Sequence, residues 1–108
     1  WNMSGRFMRV LVFFDLPVGT SAQRRSYIQF RRMLLKEGFL MMQESVYTKL
    51  ALNATVANAI MERVRDNKPP QGLIQMLTVT ERQFAKMELV LGEYRTEIID
   101  DERRLVIL

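Results

Sequence analysis

The chain has 108 residues, 48% of them hydrophobic, with 16 Lys and Arg against 12 Asp and Glu, a net charge of +4. That length suits one domain with one modest core, and no apolar run is long enough to span a bilayer. Cysteine and histidine are both absent, which excludes disulfides, thiolate or Ser-His nucleophiles and Cys-type zinc sites, so any hydrolysis would rest on carboxylates and a hard cation.

Trp1 and Asn2 precede Met3 and are set apart from a single domain expected over 3–108. No secretory leader pattern opens the sequence, and a cytoplasmic protein is expected. Phe7 to Phe14, FMRVLVFF, is rich in β-branched and aromatic residues and reads as a strand. Its near-continuous apolarity suits a strand covered on both faces or buried at an interface. LPVGTS follows as a loop, with Thr20 or Ser21 as N-cap of the next helix. That helix, AQRRSYIQFRRMLLKEG, stops at Gly38. Tyr27, Phe30, Met33 and Leu34 share one side at helical spacing. Arg24, Arg25, Arg31, Arg32 and Lys36 gather on the other, interrupted by Ile28 and Leu35.

Phe39 to Leu50 reads as a second strand, long and bent near Gln43 and Glu44. Asn53 caps a second helix whose core face is Val56, Ala57, Ile60, Met61 and Val64. KPPQG is a turn, and Leu73 to Val79 a third strand. TERQ, Thr80 to Gln83, has the form of a capping box, so a short helix is expected to about Met87. ELVLG, Glu88 to Gly92, reads as a fourth strand. An acidic loop with Glu97, Asp100, Asp101 and Glu102 precedes a fifth strand, RLVIL, formed by Arg104, Leu105, Val106, Ile107 and Leu108.

The order is β-α-β-β-α-β with an extra short helix and a trailing strand, which predicts an α+β, ferredoxin-like sandwich. An apolar edge strand at the chain end invites pairing with another chain. Pairing within its own sheet is the alternative.

Two groups of residues point to chemistry. VFFDLP ends an apolar strand on a carboxylate, Asp15. Either Asp15 caps the turn that follows or it marks a site. The basic helix is either a solvated face or a phosphate-binding stripe. Arg supplies four of its five cations, and a guanidinium grips phosphate through two parallel hydrogen bonds. Such contacts hold a duplex without reading its bases. Arg82 and Lys86, in the short helix, are further candidates. Tyr47 and the methionines read as packing residues.

VFFDLP after a first strand, a basic helix ending at EGF, then QESVYTKL, then LTVTERQF resembles the CRISPR-associated protein 2 family, closest to the short form of type II-A systems. The resemblance runs over almost the whole chain. It implies a ferredoxin-like homodimer with the trailing strand, 104–108, engaged across subunits. It also implies a partner, the integrase CRISPR-associated protein 1, of which two dimers flank one dimer of this protein. The assembly captures double-stranded DNA from invaders and inserts it as new spacers, in adaptive antiviral defence. The family's recurrent aspartate maps onto Asp15. Members have been described as magnesium-dependent nucleases on RNA or DNA, which makes an endonuclease, a phosphodiester hydrolase, the alternative to a non-catalytic DNA bridge. One carboxylate is a poor magnesium site; a two-fold axis would let Asp15 of both subunits share one Mg2+. Phe14 stands where many members have tyrosine, and Met41 where some have a basic residue, which weighs against turnover.

Overall fold

The computed structural model describes residues 7–93. Met8–Asp15 forms β1, Ser21–Lys36 α1, Leu40–Gln43 β2, Val46–Ala51 β3, Ala54–Asp66 α2, Leu73–Thr80 β4 and Glu81–Phe84 α3. The sheet has the order β2-β3-β1-β4, with every neighbouring pair antiparallel. This is the ferredoxin-like arrangement read from the sequence.

β1 is central, and its two faces differ. Val10, Val12 and Phe14 alternate into the core with Phe30 and Leu34 of α1, Tyr47 of β3 and Ile60 and Val64 of α2. Both helices therefore cover one side of the sheet. The Phe14 ring is the hub of that core. It meets Phe30 edge-on at 5.2 Å, Tyr27 edge-on at 6.0 Å and Tyr47 at 5.5 Å between centroids. Such aromatic pairs contribute about 0.5–1.5 kcal/mol each beyond the area they bury.

Local sequence fixes the helix ends. Thr20 is the N-cap of α1, and its hydroxyl accepts from the Gln23 amide while the Gln23 side chain accepts from the Thr20 amide. Gly38, at φ +97°, lets the chain leave the helix. The Lys49 ammonium donates to the carbonyl oxygen of Glu37, where the helix dipole is negative. Asn53 caps α2 through the Val56 amide at 2.9 Å.

Four expectations need correction. Phe39 to Leu50 is two strands, because Glu44 and Ser45 make a tight hairpin turn with Ser45 at φ +69°. Val56 is exposed, since the buried stripe of α2 centres on Ala57, Ile60 and Val64. Glu88 to Gly92 is not a strand. It has no ladder partner among the described residues, and Val90 and Leu91 are 83% and 91% exposed. The short helix is also briefer than expected, ending at Phe84, although its capping box is present.

Candidate nucleic-acid interface and the Asp15 face

Successive helical residues turn by about 100°. Phe30 and Leu34 are buried and Tyr27 and Met33 half-buried, so the opposite side of α1 faces water. All five candidate cations are exposed there, and α1 carries no acidic residue. They form two rows. Arg25, Arg32 and Lys36 point straight away from the sheet, within about 40° of one another. Arg24 and Arg31 lie nearer its flank. Ile28 and Leu35, both exposed, run between the rows. From Arg24 to Lys36 the helix rises about 18 Å, roughly five base pairs of duplex.

The cations are not equivalent. The Arg24 guanidinium donates to the carbonyl oxygens of Val18 at 3.1 Å and Gly19 at 3.4 Å, so it also ties α1 to the loop before it. Arg31, Arg32, Arg25 and Lys36 make no such contact among the described residues. Arg82 and Lys86 are exposed but lie apart from the stripe, because α3 packs against the other side of the sheet through Arg9 of β1. Within one chain the predicted set thus occupies two surfaces. Arg65 and Lys68, at the end of α2, are cations the sequence reading passed over. With Val64, Leu73, Ile74 and Met76 they line a shallow groove beside the outer strand β4. Their only signal in sequence is their position in and just after the last helical turn.

The helix-free face of the sheet is the second feature. Strand alternation puts Arg9, Leu11, Phe13 and Asp15 there. Register adds Leu50, Thr48 and Val46 of β3, Leu73 and Leu77 of β4, and Leu40 of β2. Leu40, Leu50, Leu73 and Leu77 are each about half exposed. Val79 and the exposed Gln75 of β4 share this face by the same register, so among the described residues its side chains are mostly apolar, with Arg9, Thr48, Gln75 and Asp15 polar.

Asp15 is the last residue of β1, opposite Leu73 and exposed at the border of this face. Among the described residues its carboxylate makes no hydrogen bond or ion pair. The turn-capping role is taken instead by Thr20 and Gln23, whose Oε1 accepts from the Gly19 and Thr20 amides at 2.9 and 3.0 Å. Phe14 points into the core, away from Asp15. No group of three or more Asp, Glu, His or Cys among the described residues is placed to hold a metal. One Asp15 is at most half of a magnesium site. Arg104 to Leu108 lie outside the described residues.

Residues 8–87 match the profile of a family described as CRISPR associated protein Cas2. A protein of Treponema denticola named CRISPR-associated endoribonuclease Cas2 is 54% identical over 101 residues, which cover 94% of this chain and all of that protein. Proteins of the same name from Streptococcus mutans and Acidovorax ebreus are 46% and 49% identical, over 94% and 79% of this chain and 93% and 83% of their own lengths. A solved structure described as a crystal structure of cas2 superposes with a TM-score of 0.57 at 16% identity, over 83% of this chain and 92% of that one. That likeness shows the fold.

Proposed function

The chain belongs to the CRISPR-associated Cas2 family, a component of spacer acquisition, and from that premise we propose that it is the non-catalytic, dimeric DNA bridge of the spacer-integration complex. The observation that carries this reading is the outer face of α1, five exposed cations with no acid. It lies across the sheet from a face that is almost uncharged. The apolar face suits a second copy, because a patch of that kind is seldom left in water and an isologous contact lets it cover itself. Each copy then turns its basic helix outward. One helix spans only a few base pairs, so a longer duplex draws on both copies. Phosphate contacts without base contacts fit a protein that must accept any sequence.

In this reading residues 3–108 act as one domain in the cytoplasm. No helix among the described residues is long and apolar enough to cross a membrane. Arg104 to Leu108 engage a partner subunit, and two dimers of the integrase, CRISPR-associated protein 1, flank one dimer of this chain. The test is to purify the chain with that integrase and measure insertion of duplexes of unrelated sequence. Insertion that requires this chain supports the bridge; equal insertion by the integrase alone overturns it.

A second reading is a metal-dependent endonuclease. Two observations favour it: the relatives carry the name endoribonuclease, and Asp15 is exposed and engaged in no hydrogen bond among the described residues. Asp15 from two copies would hold the Mg2+, which supplies a Lewis acid and an activated water when bound. The chain's own part is to present the carboxylate at the end of a rigid central strand.

A further inference from the structure

We propose that Arg9, Glu81 and Phe84 form a charge-neutralising clamp that allows the apolar face of the sheet to be covered by a second copy of this chain; the inference rests on the dimer reading above. Arg9 stands inside that face, with Leu50 on one side in the ladder and Val79 on the other. Among the described strand residues of this face it is the one charge, apart from Asp15 at the border. A guanidinium covered by a partner without a counter-charge would oppose association strongly.

The fold supplies the counter-charge from 72 residues away. Arg9 Nε donates to Glu81 Oε1 at 2.8 Å and Nη2 to Oε2 at 2.5 Å, a two-point fork. The guanidinium carbon also sits 4.3 Å from the centre of the Phe84 ring, close enough for a cation–π contact. Glu81 is held in place by its amide, which donates to the Phe7 carbonyl at 2.8 Å, and by the capping box of Thr80 and Gln83. The Arg9 side chain is only 16% exposed in a single chain. Its desolvation is therefore largely complete before a second copy arrives, and the two charges already cancel.

The experiment measures the dimer dissociation constant by sedimentation equilibrium for the wild type, Glu81→Ala, Glu81→Gln, Arg9→Met and the double variant Arg9→Met/Glu81→Ala. Urea unfolding below the dissociation constant reports the single chain separately. Glu81→Ala leaves Arg9 unpaired and should weaken the dimer about ten-fold or more. Glu81→Gln, which keeps the shape, covers the case in which Ala unfolds α3. The double variant removes both charges and should return to within about three-fold of the wild type. Wild-type affinity in both Glu81 variants overturns the clamp. So does a loss that the double variant fails to restore, which would make the contact a tether for α3 only. A wild type that stays monomeric overturns the dimer reading and the clamp with it.

Discussion

A Cβ on Gly72 would stand 2.9 Å from the backbone oxygen of Asp15 and 2.5 Å from Cδ2 of Leu16. Gly72 precedes Leu73, the ladder partner of Asp15, and takes φ +111°. This close approach lets the α2–β4 turn pass under the end of β1. It keeps Leu16 buried while Asp15 faces outward.

Gly72→Ala should therefore destabilise the chain by roughly 2–4 kcal/mol, from the left-handed backbone and the contact together. Gly92 provides the control. Its φ is +105°, yet among the described residues nothing lies within 4 Å of its missing Cβ. Gly92→Ala should cost no more than about 1–2 kcal/mol. The midpoints of urea unfolding, compared at equal slope, measure the difference.

Thr48 should respond in the opposite direction. Its hydroxyl is buried and has no hydrogen-bond partner among the described residues, between Leu11 and Leu40 in the ladder. Thr48→Val keeps the branched shape and removes the unpaired group, which should stabilise the chain by about 1 kcal/mol. The same unfolding measurement checks it. A loss of stability would mean that the hydroxyl finds a donor or acceptor in solution.

Asp15→Asn separates the two functional readings. Its carboxylate contributes no described contact to the fold, so melting should be unchanged. Insertion of spacers should stay near the wild-type level, while any magnesium-dependent cleavage of RNA or DNA disappears. Collapse of insertion in a variant that folds and assembles would give Asp15 a part in the bridge itself.

The arginines of α1 should divide by their contacts. Arg25, Arg31 and Arg32, replaced together by Ala, should weaken duplex binding about equally for unrelated sequences. If two of them touch phosphate in each of two copies, four contacts are lost. The plot of log affinity against log salt then flattens by about 3–4 units, at about 0.9 per contact. Arg24→Ala should instead act mainly on stability, since Arg24 already serves the Val18 and Gly19 carbonyls. Binding titrations over a salt series on two duplexes distinguish these outcomes.

The sequence by itself determined what is local. FMRVLVFF had to be a strand, Thr20 or Ser21, Asn53 and Thr80 had to cap helices, and Gly38 had to end one. Each of these rests on backbone preference or on a hydrogen bond within a few residues. The buried side of α1 and its five outward cations followed from helical spacing in the same way. Their order along the chain, with the bend near Gln43 and Glu44 counted as dividing the second strand, pointed to the ferredoxin-like class. Tertiary structure decided the rest. The turn at Glu44 and Ser45 has no Gly, Pro or Asn to announce it, and Ser45 takes its left-handed backbone only because β2 folds back on β3. Glu88 to Gly92 has the composition of a strand, but a strand needs a neighbour to accept its hydrogen bonds. The pairing of Arg9 with Glu81, the approach of Gly72 to Asp15 and the separation of Arg82 and Lys86 from the α1 stripe all depend on strand register. Side chains alternate with a period of two, so a slip of one residue would exchange the two faces of β1 and send Asp15 to the other side. Register is set by packing across the whole sheet, and no short stretch of sequence carries it.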